Sequence, residues 1–180
     1  MLTADQLLDA LLSRARPVTA FETVALKAAR GRVLAVDQTS GVTVPPLDNS
    51  AMDGYAVRVA DVLQAGVRLP VSQRIQAGQV GAELAPGTAA RIFTGAPVPP
   101  GADAVLMQED CTGEAQSVVV NKVPRPGENI RRAGEDIVAG AVALAAGQRI
   151  GPAAMGLAAS VGLAALPVRN KLRVACFFTG

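Results

Sequence analysis

Apolar residues first recur at helical spacing near the amino terminus, where Leu7, Leu8, Leu11 and Leu12 make one stripe. Thr3 and Gln6 stand three apart ahead of it, the spacing of a capping box, and Pro17 ends the pattern. A helix striped in this way is expected to bury its leucines against another element. The next stretch, "VALKAARGRVLAVD", reads as an alanine-rich turn, a break at Gly31 and a short strand through Val33, Leu34 and Val36. From residue 70 onward the pattern changes to short apolar runs, at 70–75, 89–93, 104–108 and 117–123. Between them lie Ala77-Gly78, Pro86-Gly87, "TGAPVPPGAD" at 94–103, and Gly113, all suited to reversing the chain. Short strands divided by turns predict a β-rich domain of barrel or sandwich form.

Two later stretches are strongly apolar. Residues 150–168 carry no charge between Arg149 and Arg169, which reaches the minimum length for a membrane span. Alanine and glycine dominate there, Pro152 can start a helix and Gly162 can stop one, so the stretch predicts a buried helix of about three turns instead. The closing "KLRVACFFTG" has a nearly continuous apolar run over 172–178, the mark of a strand buried on both faces of a parallel sheet. Thr179-Gly180 would then open the following loop, and the chain is expected to be truncated where a ligand-binding region begins.

Composition narrows the possible chemistry. A chain of 180 residues can hold more than one domain. Its 17 Lys and Arg against 15 Asp and Glu give a net charge of +2, and aromatic residues make up 3%, which argues against a nucleic-acid partner. Histidine is absent, so the commonest general base and zinc ligand are both missing and any site must use carboxylates, hydroxyls or lysine. Cys111 and Cys176 stand far apart and read as buried free thiols. The amino terminus lacks the layout of a signal peptide, which makes the cytoplasm the expected compartment.

Three polar loops stand out against this background. "PPLDNSAMDGYAV" (45–57) holds Asp48, Asn49, Ser50 and Asp53; Thr94 follows the 89–93 run; "RPGENIRRAGEDI" (125–137) holds Arg131, Arg132, Glu135 and Asp136. Carboxylates and hydroxyls together suit Mg²⁺, and the arginines suit phosphate. The same residue types also build ordinary turns, so the residues alone leave open whether the loops form one site.

Four segments, "PPLDNSAMDGYAV", "RIFTGAPVPPGADAVLMQE", "GENIRRAGEDI" and "RVACFFTG", resemble in order the signature segments of the MoeA molybdopterin molybdenumtransferases, relatives of the gephyrin E domain. The resemblance covers essentially the whole chain. It implies an α+β, mostly β fold: an amino-terminal helix of an interrupted α/β domain (1–24), a small scaffold domain in two parts (25–45 and 141–170), an inserted barrel-like β domain (46–140), and the first strand of a truncated α/β molybdopterin-binding domain (171–180). It also implies an enzyme of molybdenum cofactor biosynthesis that inserts molybdate into adenylylated molybdopterin and releases AMP, using Mg²⁺, as a homodimer, with an adenylyltransferase as a possible pathway partner. Carried over, Asp53, Thr94 and Asp136 match catalytic positions, with Asp53 and Asp136 as metal ligands and Ser50, Arg131 and Glu135 as substrate contacts. Thr94 is expected to supply an oxyanion hydrogen bond. The alternative is a gephyrin-like scaffold or a non-catalytic protein-binding module.

Overall fold

A computed structural model describes residues 3–178. In chain order the elements are α1 (Ala4–Arg14), β1 (Phe21–Ala25), β2 (Gln38–Thr39), β3 (Asn49–Ser50), β4 (Gly54–Val57), β5 (Val67–Ile75), β6 (Ala89–Ile92), β7 (Ala104–Met107), β8 (Cys111–Gly113), β9 (Ser117–Val120), β10 (Ile130–Arg131), β11 (Val142–Leu144), α2 (Pro152–Ser160) and β12 (Ala165–Arg169). They form two compact units, one of the residues up to Gly41 with those from Gly140 onward, the other of 42–139. As expected, the fold is mostly β with two helices.

In the first unit α1 starts on the capping box read from the sequence. The Gln6 N–H donates to Thr3 Oγ1 at 3.3 Å, and the Thr3 N–H donates to Gln6 Oε1 at 3.0 Å. The expected burial of its stripe does not occur: Leu7, Leu8, Leu11 and Leu12 are 50–62% exposed. No other described element covers that face, so periodicity built the helix without supplying a partner. β1 pairs antiparallel with β12, from Phe21 opposite Arg169 to Ala25 opposite Ala165. The strand expected at Val33, Leu34 and Val36 reduces to two isolated bridges, Val33 to Arg149 and Leu34 to Val168.

The short helix α2 carries proline in its first turn and ends before Gly162, whose φ of +83° suits glycine alone at low cost. Ala154 and Ala158 of α2 pack in a core with Leu34, Leu144, Ile150 and Leu166. No helix among the described residues is long and apolar enough to cross a membrane.

Two further expectations fail, one for the carboxyl-terminal run and one for the cysteines. Residues 171–178 form no regular element, with Leu172, Val174, Phe177 and Phe178 75–96% exposed. A strand buried on both faces needs neighbours that pair with it, and no described strand does so. Thr179-Gly180 lies outside the described residues. Cys176 is exposed and Cys111 half-buried, so neither thiol is fully buried.

The second unit is built on a curled six-stranded sheet in the order β7-β4-β6-β5-β9-β8, a half-barrel rather than a closed one. Only β5 and β6 run parallel. β5 is long because its first half pairs with β9 and its second half with β6. Alternate residues bury on opposite faces. Val57, Leu106, Val118 and Val120 enter one core, and Ala56, Ile75, Ile92 and Val105 the other. Each large side chain so buried contributes about 1.5–3 kcal/mol. The four predicted strands are present with ends shifted by a few residues, whereas β4, at the centre of this packing, lies inside the polar 45–57 motif.

Candidate active site

The turn between β3 and β4 is closed by a serine. Ser50 is 1% exposed, and its hydroxyl donates to the Met52 carbonyl at 2.5 Å while accepting from the Met52 N–H at 3.3 Å. Gly54 then enters β4 so close to β7 that a Cβ there would lie 1.7 Å from the Leu106 carbonyl oxygen. The Gln108 N–H donates to the Asp53 carbonyl at 3.0 Å. Asp53 is thereby fixed in backbone while its carboxylate remains exposed.

That carboxylate meets the loop after β6. Asp53 Oδ1 accepts from the Thr94 N–H at 2.8 Å and from the Thr94 hydroxyl at 2.7 Å. The Thr94 N–H first, and its hydroxyl second, hold the Asp53 carboxyl below its ordinary pKa, with a Coulombic contribution from Arg91. Thr94 Oγ1 spends its single proton on Asp53, so in this geometry it holds the carboxylate instead of presenting a donor to an oxyanion. The next turn is tied to the same place: the Gly95 N–H donates to the Ser50 carbonyl, and the Ser50 N–H donates to the Ala96 carbonyl, each at 2.9 Å.

The third loop arrives through β10, which pairs with β3 so that Ile130 faces Ser50 and Arg131 faces Asn49. Asn129 adopts φ +52°, and its side-chain amide donates to the Val105 carbonyl at 2.9 Å. Beyond it, Arg131 Nη2 donates to Asp136 Oδ1 at 2.6 Å and its Nε stands 3.5 Å from Glu135 Oε1. The two carboxylates hold the Arg131 pKa above its ordinary value, the Asp136 hydrogen bond contributing most. Arg132 Nη1 and the Ala133 N–H donate to the two oxygens of Asp48 at 2.6 and 2.8 Å. These contacts lower the Asp48 pKa, the Ala133 N–H most.

The three polar loops thus gather around β3. Their side chains form two subclusters, Asp53 with Thr94 and Asp136 with Arg131 and Glu135, and no hydrogen bond or ion pair joins the two. Ser50 lies at the backbone junction with its hydroxyl turned inward, so it shapes the turn and presents no hydroxyl to solvent. Among the described residues no three His, Cys, Asp or Glu side chains converge as a metal cage. Asp53 Oδ2 has no protein partner there, which fits a hard cation held by one or two carboxylates and completed by water and phosphate oxygens. Sequence reasoning missed Gln108 and Arg91. Both lie inside the quoted "RIFTGAPVPPGADAVLMQE", but only strand adjacency brings them to Asp53.

This half-barrel sheet with its three motif-bearing loops belongs to a known class. Residues 2–162 match the family described as MoeA N-terminal region (domain I and II), and the chain belongs to that family. It is 45% identical over 175 residues to molybdopterin molybdenumtransferase 2 of Mycobacterium tuberculosis, covering 94% of this chain and 42% of that protein. It is 41% identical over 182 residues to molybdopterin molybdenumtransferase of Haemophilus influenzae, covering 100% of this chain and 45% of that one. A solved molybdopterin biosynthesis MoeA protein of Pyrococcus horikoshii OT3 superposes with a TM-score of 0.84 at 36% identity, over 90% of this chain and 44% of that chain. The chain therefore spans less than half the length of these relatives.

Proposed function

We propose that this chain supplies part of the active site of a molybdopterin molybdenumtransferase, which inserts molybdate into adenylylated molybdopterin and releases AMP in molybdenum cofactor biosynthesis. The observation that carries the reading is the Asp53 carboxylate, exposed, held ionised by two Thr94 donors and left with one oxygen open. The identity of 45% and 41% to relatives named for this activity supports the reading further.

Releasing AMP from a phosphoric anhydride demands positioning and charge neutralisation more than a protein nucleophile. Asp53 and Asp136 would hold Mg²⁺, which when bound supplies positive charge to the phosphate oxygens. Thr94 keeps Asp53 in place and deprotonated. Arg131, braced by Glu135, orients Asp136, both residues line the approach of the substrate, and Ser50 holds the turn that carries Asp53. The rest of the site comes from residues the relatives carry beyond the matched region, in a cytoplasmic homodimer supplied with substrate by an adenylyltransferase.

The test is AMP release by the full-length enzyme given adenylylated molybdopterin, molybdate and Mg²⁺. Asp53→Ala is expected to lower the rate at least about a hundredfold with an unchanged thermal melt. Undiminished release by a folded Asp53→Ala protein would remove Asp53 from the chemistry.

A further inference from the structure

Arg91 lies on β6, half-buried, with its guanidinium 4.6 Å from the centre of the Phe93 ring and 5.2 Å from that of Tyr55. Among the described residues no carboxylate forms an ion pair with it. Its donors go instead to neutral acceptors: Nη1 to the Gly54 carbonyl at 2.8 Å and, more weakly, the Ile92 carbonyl at 3.4 Å, and Nη2 to Gln108 Oε1 at 2.8 Å. Taking a cation partly out of water without a directly paired carboxylate is costly, and the Asp53 charge acts on Arg91 only through space. A sheet needing only stability at this position would be served by an apolar side chain.

The groups Arg91 touches have one residue in common. Gly54 follows Asp53 in the chain, and Gln108 donates its N–H to the Asp53 carbonyl. Phe93 precedes Thr94, whose N–H and hydroxyl hold Asp53 Oδ1. Tyr55 stands opposite Arg91 in the β4–β6 register. The planar fork therefore ties the start of β4, the end of β7 and the exit of β6 together at the place where Asp53 and Thr94 must meet.

We propose that Arg91 is the positioning residue for Asp53, fixing these three strand ends so that the Asp53 carboxylate reaches the two donors of Thr94. The inference rests on the reading in which Asp53 serves the reaction, and it adds to that reading a residue acting through another. A lysine cannot replace it, because one ammonium on a flexible stem does not span the Gly54 carbonyl and Gln108 Oε1 while stacking on two rings.

The experiment uses Arg91→Lys and Arg91→Gln in the full-length protein, with amide hydrogen exchange at Thr94 and the kinetics of AMP release as readouts. Thr94 exchange is expected to accelerate at least tenfold in both, and kcat to fall at least tenfold with KM nearly unchanged; lysine does not rescue. Arg74→Gln is the control: it removes the other guanidinium over Phe93, also 4.6 Å from the ring centre, and is expected to leave Thr94 exchange unchanged. Wild-type exchange at Thr94 in a folded Arg91 variant overturns the proposal, as does equal acceleration in Arg74→Gln. Should neither Arg91 variant fold, Gln108→Ala, which removes one acceptor of the fork, decides the matter: faster Thr94 exchange supports the proposal and unchanged exchange overturns it. Because exchange is read without substrate, the role of Arg91 is settled even if Asp53→Ala leaves AMP release intact.

Discussion

Asp53 and Thr94 are 41 residues apart in the chain and share two hydrogen bonds, so each is informative about the other. Thr94→Val keeps the N–H and removes the hydroxyl, and is expected to slow AMP release about tenfold while the melt stays within a few degrees of wild type. Ser50→Ala strips the buried hydroxyl that closes the turn and should cost about 1 kcal/mol, read as a lower melting temperature. A pH effect belongs to Glu128, whose pKa is lowered chiefly by its 2.5 Å hydrogen bond from Lys122 and next by the Arg125 N–H. A depressed folded-state pKa contributes stability above the unfolded pKa and loses it as pH falls through the folded value. The gap in melting temperature between wild type and Glu128→Gln should therefore be full at neutral pH and shrink below about pH 4. At this scale the sequence marked Asp48, Ser50, Asp53, Thr94, Arg131, Glu135 and Asp136 as polar residues clustered in loops. It could not show that the Ser50 hydroxyl turns inward onto the Met52 backbone, which the burial of that turn decides, or that Gln108 and Arg91 attend Asp53, because the latter contacts cross between strands.

Among the elements, β4 is central and was the hardest to read. "GYAV" is four residues in a polar motif, too short to show alternation, yet it pairs with both β6 and β7. Gly54 is required by that packing. Gly54→Ala places a methyl group on the Leu106 carbonyl and is expected to lower the melting temperature by well over 5 °C or prevent folding. The strands β6 and β7 were legible because apolar residues run through them and both their faces are buried. α2 was legible because Pro152 and Gly162 punctuate it. The run at 172–178 shows the converse, since continuous apolarity describes what a strand can bury and not whether a neighbour is present. α1 makes the same point: with its leucines more than half exposed, Leu8→Ala and Leu11→Ala should each change the stability of residues 1–180 by less than about 0.5 kcal/mol in a denaturant titration.

For the whole molecule, the unit of residues 42–139 holds both cores of the six-stranded sheet, and its ends are joined by the bridge of Val44 to Ile137. Expressed alone, 42–139 is expected to unfold in one cooperative transition; a non-cooperative melt would show that it depends on the remaining residues. Residues 1–180 by themselves are expected to release no AMP, since the relatives carry more than half of their length beyond this region. The sequence by itself determined the features that depend on near neighbours: the capping box of α1, the proline and glycine that bound α2, the turns between the strands, and the ordered motifs that mark the family. Only the tertiary structure decided that three polar loops meet around β3, that β4 lies between β6 and β7, and that Thr94 and Arg91 stand beside Asp53. The physical reason is that caps and turns are satisfied within a few residues, whereas strand neighbours and register are chosen by burial on both faces of a sheet assembled from distant segments.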